Sequence, residues 1–107
     1  MLESATLKEI VAHLGGSALL SEVGVHNFAT DDSHVSFQFF RSNPRNVHAV
    51  TIALQSNGQY TMMCFGKLIP GTFTSPKLAE ATDIIAENLA TVLGQLTGIE
   101  RLHHRHY

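Results

Sequence analysis

The chain has 107 residues, 44% hydrophobic and 15% charged, with a net charge of −2 when histidine is neutral. That length fits one domain with one core. A charged fraction well under the roughly 25% usual for soluble domains leaves a weakly polar surface suited to self-association. The negative balance excludes the global basic field of a nucleic-acid binder, and a single cysteine excludes an internal disulfide. No apolar run approaches the ~20 residues that span a membrane. The opening MLESATLKEIV is not a basic segment followed by an apolar run, so no secretory signal is expected and the cytoplasm is the expected compartment.

Thr6 to Leu14 reads as an amphipathic helix, with Leu7, Ile10, Val11 and Leu14 on one stripe. Thr6 and Glu9 have the form of a capping box, although Ser4 also suits an earlier start. Gly15-Gly16 reads as a helix stop, because no dinucleotide or Walker pattern surrounds it. Ser17 to Glu22 adds a short helical turn. Val23, Val25 and Phe28 suggest a short strand within Val23–Thr30, and Asp31-Asp32-Ser33 suits a turn. Val35, Phe37 and Phe39 alternate with Ser36, Gln38 and Phe40, as in a half-buried strand whose first set faces the core. Ser42-Asn43-Pro44-Arg45-Asn46 is a loop.

The most informative stretch is Val47 to Gly66, VHAVTIALQSNGQYTMMCFG. Asn57-Gly58 between two apolar runs signals a two-residue hairpin turn, whose central positions both need positive φ. A turn there sets Leu54 opposite Thr61, Ile52 opposite Met63 and Val50 opposite Phe65, and these should line the core. The other face then carries Ala49, Thr51, Ala53, Gln55, Tyr60, Met62 and Cys64, without any charge. After Pro70-Gly71, Ser75-Pro76 looks like a helix start. Leu78, Ala81, Ile85, Leu89, Val92 and Leu96 form a helical stripe that ends by Gly98, which predicts a helix about 33 Å long.

The expected fold is therefore α+β in two layers: an N-terminal helix, an antiparallel meander of three to four strands, and a long C-terminal helix packed on one sheet face. Residues 1–107 form a single domain in this reading, with 101–107 a His-rich tail.

The uncharged face is the leading candidate surface, with Gln38, Phe40, Thr51, Ala53, Tyr60, Met62 and Cys64 as its members. Interface cores are depleted in charge, and two-fold dimers are the commonest assembly. On this reading the protein is a non-enzymatic homodimeric binding or scaffolding module, and Met62→Lys should yield a monomer. Cys64 reads as a structural thiol. The alternative is a small-molecule binder or minor enzyme with a groove between sheet and helices.

Arg41, Arg45 and His48 are candidate anion contacts, with Asn43 and Asn46 as neighbouring donors. Lys67 joins the two arginines as a possible basic patch at one sheet end. Asp31, Asp32 and His34 contain the elements of acid–base chemistry, but turns favour Asp for backbone reasons. His103, His104 and His106 are the metal candidates; a metal needs three or four converging ligands, so no metal site and no cofactor is assigned.

The N-G hairpin leading through a loop to Ser75-Pro76 and a helix is similar in outline to the TATA-binding-protein repeat. That resemblance implies a curved antiparallel sheet with a nucleic-acid-binding face, against which stand the negative charge and the thin basic flanks. FGKLIP followed by a helix also looks like the small dimeric secretion chaperones. No catalytic residue is carried over from either.

Overall fold

The computed structural model describes residues 4–30, 34–40, 42–72 and 74–99, with side chains from Lys8 onward. Helix α1 spans Ser4–His13 and α2 spans Ser17–Glu22. Five strands follow: β1 (Val25–Thr30), β2 (His34–Phe39), β3 (Ala49–Leu54), β4 (Tyr60–Phe65) and β5 (Lys77–Ile84). A 3-10 turn, Ala86–Asn88, leads into α3 (Leu89–Thr97). The strands pair antiparallel in the order β1-β2-β3-β4-β5, a simple meander.

Local chemistry explains most boundaries. α1 stops because Gly15 and Gly16 take φ of 119° and 92°. Their amides return to the helix, Gly15 N–H to Ala12 O at 3.1 Å and Gly16 N–H to Val11 O at 2.9 Å, which satisfies two terminal carbonyls. α3 ends the same way at Gly98, with φ 77° and its amide on Gly94 O. β1 carries an irregularity between His26 and Ala29, where Asn27 has φ 56° and its side-chain amide donates to Gln38 Oε1 at 2.9 Å.

One layer is the sheet and the other is the helices, as the alternation in β2 and the stripe of α1 imply. Val35, Phe37 and Phe39 from β2, Val50 and Ile52 from β3, and Tyr60, Met62 and Cys64 from β4 share one face. They form one buried cluster with Ile10 and Leu14 of α1, Leu20 of α2, and Leu89 and Leu93 of α3. Fully burying side chains of this size stabilises by about 1.5–3 kcal/mol each, which is the main drive for docking the helices.

Two expectations are corrected here. The segment after Ser75 is not a long helix: Lys77–Ile84 is the fifth strand, and the helix that follows has only nine residues. Leu78 and Ile85, which fitted the helical stripe, are exposed, while Ala79, Ala81 and Ile84 turn toward the core. Without β5, the edge of β4 would leave backbone groups beside Met62 and Cys64 unpaired, and satisfying them outweighs local helical spacing. Ser75-Pro76 serves as strand entry, with Pro76 O accepting the Gly66 amide at 2.9 Å.

The second correction is the register of the central hairpin. Leu54 pairs with Tyr60, Ile52 with Met62 and Val50 with Cys64. The turn closes with Gln55 N–H on Gln59 O, which leaves the three-residue loop Ser56-Asn57-Gly58. Only Gly58 has positive φ, 83°, whereas a two-residue turn would need Asn57 there as well. Asn57 Oδ1 instead accepts the Gln59 amide at 3.0 Å. A one-residue shift reverses a whole strand, so β4 turns Tyr60, Met62 and Cys64 inward; on β3 Val50 and Ile52 face the core as expected, whereas Leu54, at the strand's end beside the loop, is exposed.

Candidate functional site

The sheet face away from the helices carries Ser36 and Gln38 of β2, Ala49, Thr51 and Ala53 of β3, and Thr61, Met63 and Phe65 of β4. All eight are partly exposed, and none is charged. His34, opposite Ala53, and His26, opposite Gln38, border this set on the same face, and at β5 Lys77 Nζ pairs with Glu80 Oε1 at 2.8 Å, with Glu80 opposite Met63. The uncharged surface anticipated from the sequence thus exists with a different membership. Gln38, Thr51 and Ala53 lie on it. Tyr60, Met62 and Cys64 do not; the register turns them into the core, where Met62 and Cys64 are 0% exposed and Tyr60 is 6% exposed. Thr61, Met63 and Phe65 replace them.

The electrostatics agree with that placement. Burial pushes the Cys64 thiol up to about 11. Burial also raises the Tyr60 phenol, with a smaller contribution from the carboxylate of Glu9 on α1. Both groups are held protonated beneath the helices.

A second feature lies at the end of the sheet where β2 and β4 finish and β3 begins. An open groove of about 730 Å³ is lined there by His26, Arg45, His48 and Lys67, with Phe40 and Leu78 as apolar walls. Arg45 and His48, foreseen as anion contacts, are therefore brought together, and Lys67 joins them. His26 is a member that sequence reasoning missed, because only the β1–β2 pairing carries it there, opposite Gln38. Phe40 is 56% exposed and its ring meets His26 edge-on, with centroids 5.2 Å apart. Comparison with protein-family models, curated proteins and solved structures gave no match.

The loop that presents Arg45 is firmly held. Asn43 is buried, and its side chain bonds Val47 twice, donating to Val47 O at 2.8 Å and accepting from Val47 N–H at 2.9 Å. Arg45 N–H donates to Thr97 O at the end of α3, and Asn46, at φ 56°, donates its amide to Asn43 O. Arg41, Asp31, Asp32, Ser33 and the metal candidates His103, His104 and His106 lie outside the described residues. His34 opens β2 and is half-buried. Among the described residues no group of three or more His, Cys, Asp or Glu side chains is placed to hold a metal, and no helix is long and apolar enough to cross a membrane.

Proposed function

We propose that the protein is a non-catalytic binding module that works as a homodimer, meeting a second copy through the outer face of its sheet. The observation that carries this reading is the charge-free centre of that face, from Ser36 on β2 to Phe65 on β4. A solvated antiparallel face ordinarily carries charged side chains outward. A face without charge meets its own copy across a two-fold axis without like-charge repulsion, and the opposite charges of Lys77 and Glu80 at its rim suit the polar border of such a contact.

Five strands spaced about 4.8 Å apart and roughly 20 Å long offer a face of about 24 by 20 Å. That is smaller than the roughly 800 Å² per partner of a standard interface, so the dimer is expected to be reversible on dilution. The groups with raised pKa, Tyr60 and Cys64, sit where no substrate reaches them, which favours binding over catalysis.

Sedimentation velocity over a concentration series tests the reading. The parent protein should shift from monomer to dimer as concentration rises. Thr51→Lys, which puts an ammonium at the centre of the face, should remain monomeric at every concentration while keeping its far-UV circular dichroism. A Thr51→Lys protein that dimerises like the parent would remove this face from the assembly.

A further inference from the structure

We infer that the groove at the β2–β4 end of the sheet is a binding site for an aryl phosphate: a phosphate monoester joined to a flat apolar body. The phosphate lies among Arg45, Lys67, His48 and His26, and the body rests on Phe40 and Leu78.

The charge distribution is the first argument. The chain holds nine Asp and Glu against seven Lys and Arg. Twelve of the described residues line the groove, and these include Arg45, Lys67 and two histidines but no carboxylate. The basic residues arrive from three separate stretches of chain: His26 from β1, Arg45 and His48 from the β2–β3 loop, and Lys67 from the exit of β4. Neighbours along one loop share a locality by default; residues from three stretches meet only because the fold brings them together. Among the described residues neither Arg45 nor Lys67 forms an ion pair, whereas Lys77 does. Their charge is available to a ligand.

Preorganisation is the second argument. Arg45 is exposed, yet its backbone is pinned on one side by the buried Asn43–Val47 bonds and on the other by Thr97 O. A loop held in this way gives up little further freedom on binding, which lowers the entropic cost of using it. The ligand class follows from the donors. Arg presents a planar fork suited to phosphate oxygens, and a phosphate monoester carries about −1.5 to −2 charge at pH 7, matching two fixed cations. Phe40 and Leu78 are 56% and 46% exposed on the same groove, so an aromatic body would cover apolar surface now in water.

The test is an NMR titration of the full chain at low ionic strength, following the His26 and His48 ring signals. Phenyl phosphate and inorganic phosphate are the probes. Phenyl phosphate should shift both rings saturably and bind about tenfold tighter than inorganic phosphate, the difference coming from the apolar walls. The double variant Arg45→Gln/Lys67→Gln should weaken phenyl phosphate by about tenfold or more, with an unchanged melting temperature and oligomeric state. Absence of saturation, or equal binding by the double variant, would overturn the site. Equal affinity for the two probes would overturn the role of Phe40 and Leu78. Neither Arg45 nor Lys67 lies on a strand of the sheet face, so loss of phosphate binding with an unchanged dimer, or loss of the dimer in Thr51→Lys with phosphate binding retained, tells the failure of one reading from the failure of the other.

Discussion

Single side chains decide the loops of this fold. Asn43 is the clearest case, because it satisfies both backbone groups of Val47 in a buried setting. Asn43→Ala leaves a donor and an acceptor without partners, and should cost about 3 kcal/mol in urea denaturation. Gly98 carries two constraints at once. It sits at φ 77°, and a Cβ there would lie 2.8 Å from Pro44 Cβ. Gly98→Ala should therefore destabilise by about 2 kcal/mol; in a double-mutant cycle with Pro44→Gly, which removes the clashing Cβ, the steric part should disappear and the backbone part remain. Cys64 predicts behaviour at high pH. Its folded thiol titrates near 11 rather than at the ordinary 9.0, so the unfolded chain releases the proton first. That stability is whole below pH 9 and is lost as pH rises through about 11; Tyr60 acts in the same sense. A Cys64→Ala variant should accordingly lose less of its urea midpoint than the parent between pH 8 and pH 11.

At the scale of the element, the hairpin loop is the controlling feature. Ser56-Asn57-Gly58 needs positive φ only at Gly58, and Asn57 supports it through the Gln59 amide. Gly58→Ala should cost about 1 kcal/mol, since nothing crowds a Cβ there and only the backbone conformation resists. The end of β5 is tied to this same loop. Gln55 Oε1 accepts the Asp83 amide at 2.8 Å, and Gln55 Nε2 donates to Asp83 Oδ1 at 2.9 Å. Thr61 Oγ1 adds a third bond to Gln55 Oε1. Asp83 itself has φ 57°, so the bonds hold a residue that would otherwise relax. Gln55→Ala should speed hydrogen exchange at the Ile84 end of β5 more than at its Ala79 end. Equal acceleration at both ends would mean that β5 opens as a unit.

For the whole molecule, the two sheet faces make opposite predictions for the same kind of substitution. Met62→Lys, which read as an interface probe while Met62 was placed outward, now puts an ammonium into the core beside Ile52 and Ala81. A buried unpaired charge costs several kcal/mol, against a total stability of about 5–15 kcal/mol for a domain of this size. Met62→Lys should be largely unfolded by near-UV circular dichroism, whereas Thr51→Lys should stay folded. The pair checks the register directly: in the reversed register of β4, Met62→Lys would be tolerated. The groove belongs to this scale too, since no single element contains it.

Local chemistry was enough to specify the α+β class, the stops at Gly15-Gly16 and Gly98, the facing of β2 and of Val50 and Ile52 on β3, and the loop at Asn43–Asn46. Each depends on a few neighbouring residues: a glycine that accepts positive φ, an alternation, a turn-forming Asn. Three things needed the tertiary structure. Tyr60, Met62 and Cys64 bury about as much apolar surface as Thr61, Met63 and Phe65 would, and neither set is charged, so composition could not choose the inward face of β4. A three-residue rather than a two-residue loop at Asn57-Gly58 made that choice. Leu78, Ala81 and Ile85 fit a helical period, but the open edge of β4 drew their segment into a strand, because unpaired backbone groups cost more than a favourable spacing returns. Finally, His26 and Lys67 lie 41 residues apart in sequence. Only the pairing of β1 through β4 brings them to one groove, and sequence distance carries no trace of that meeting.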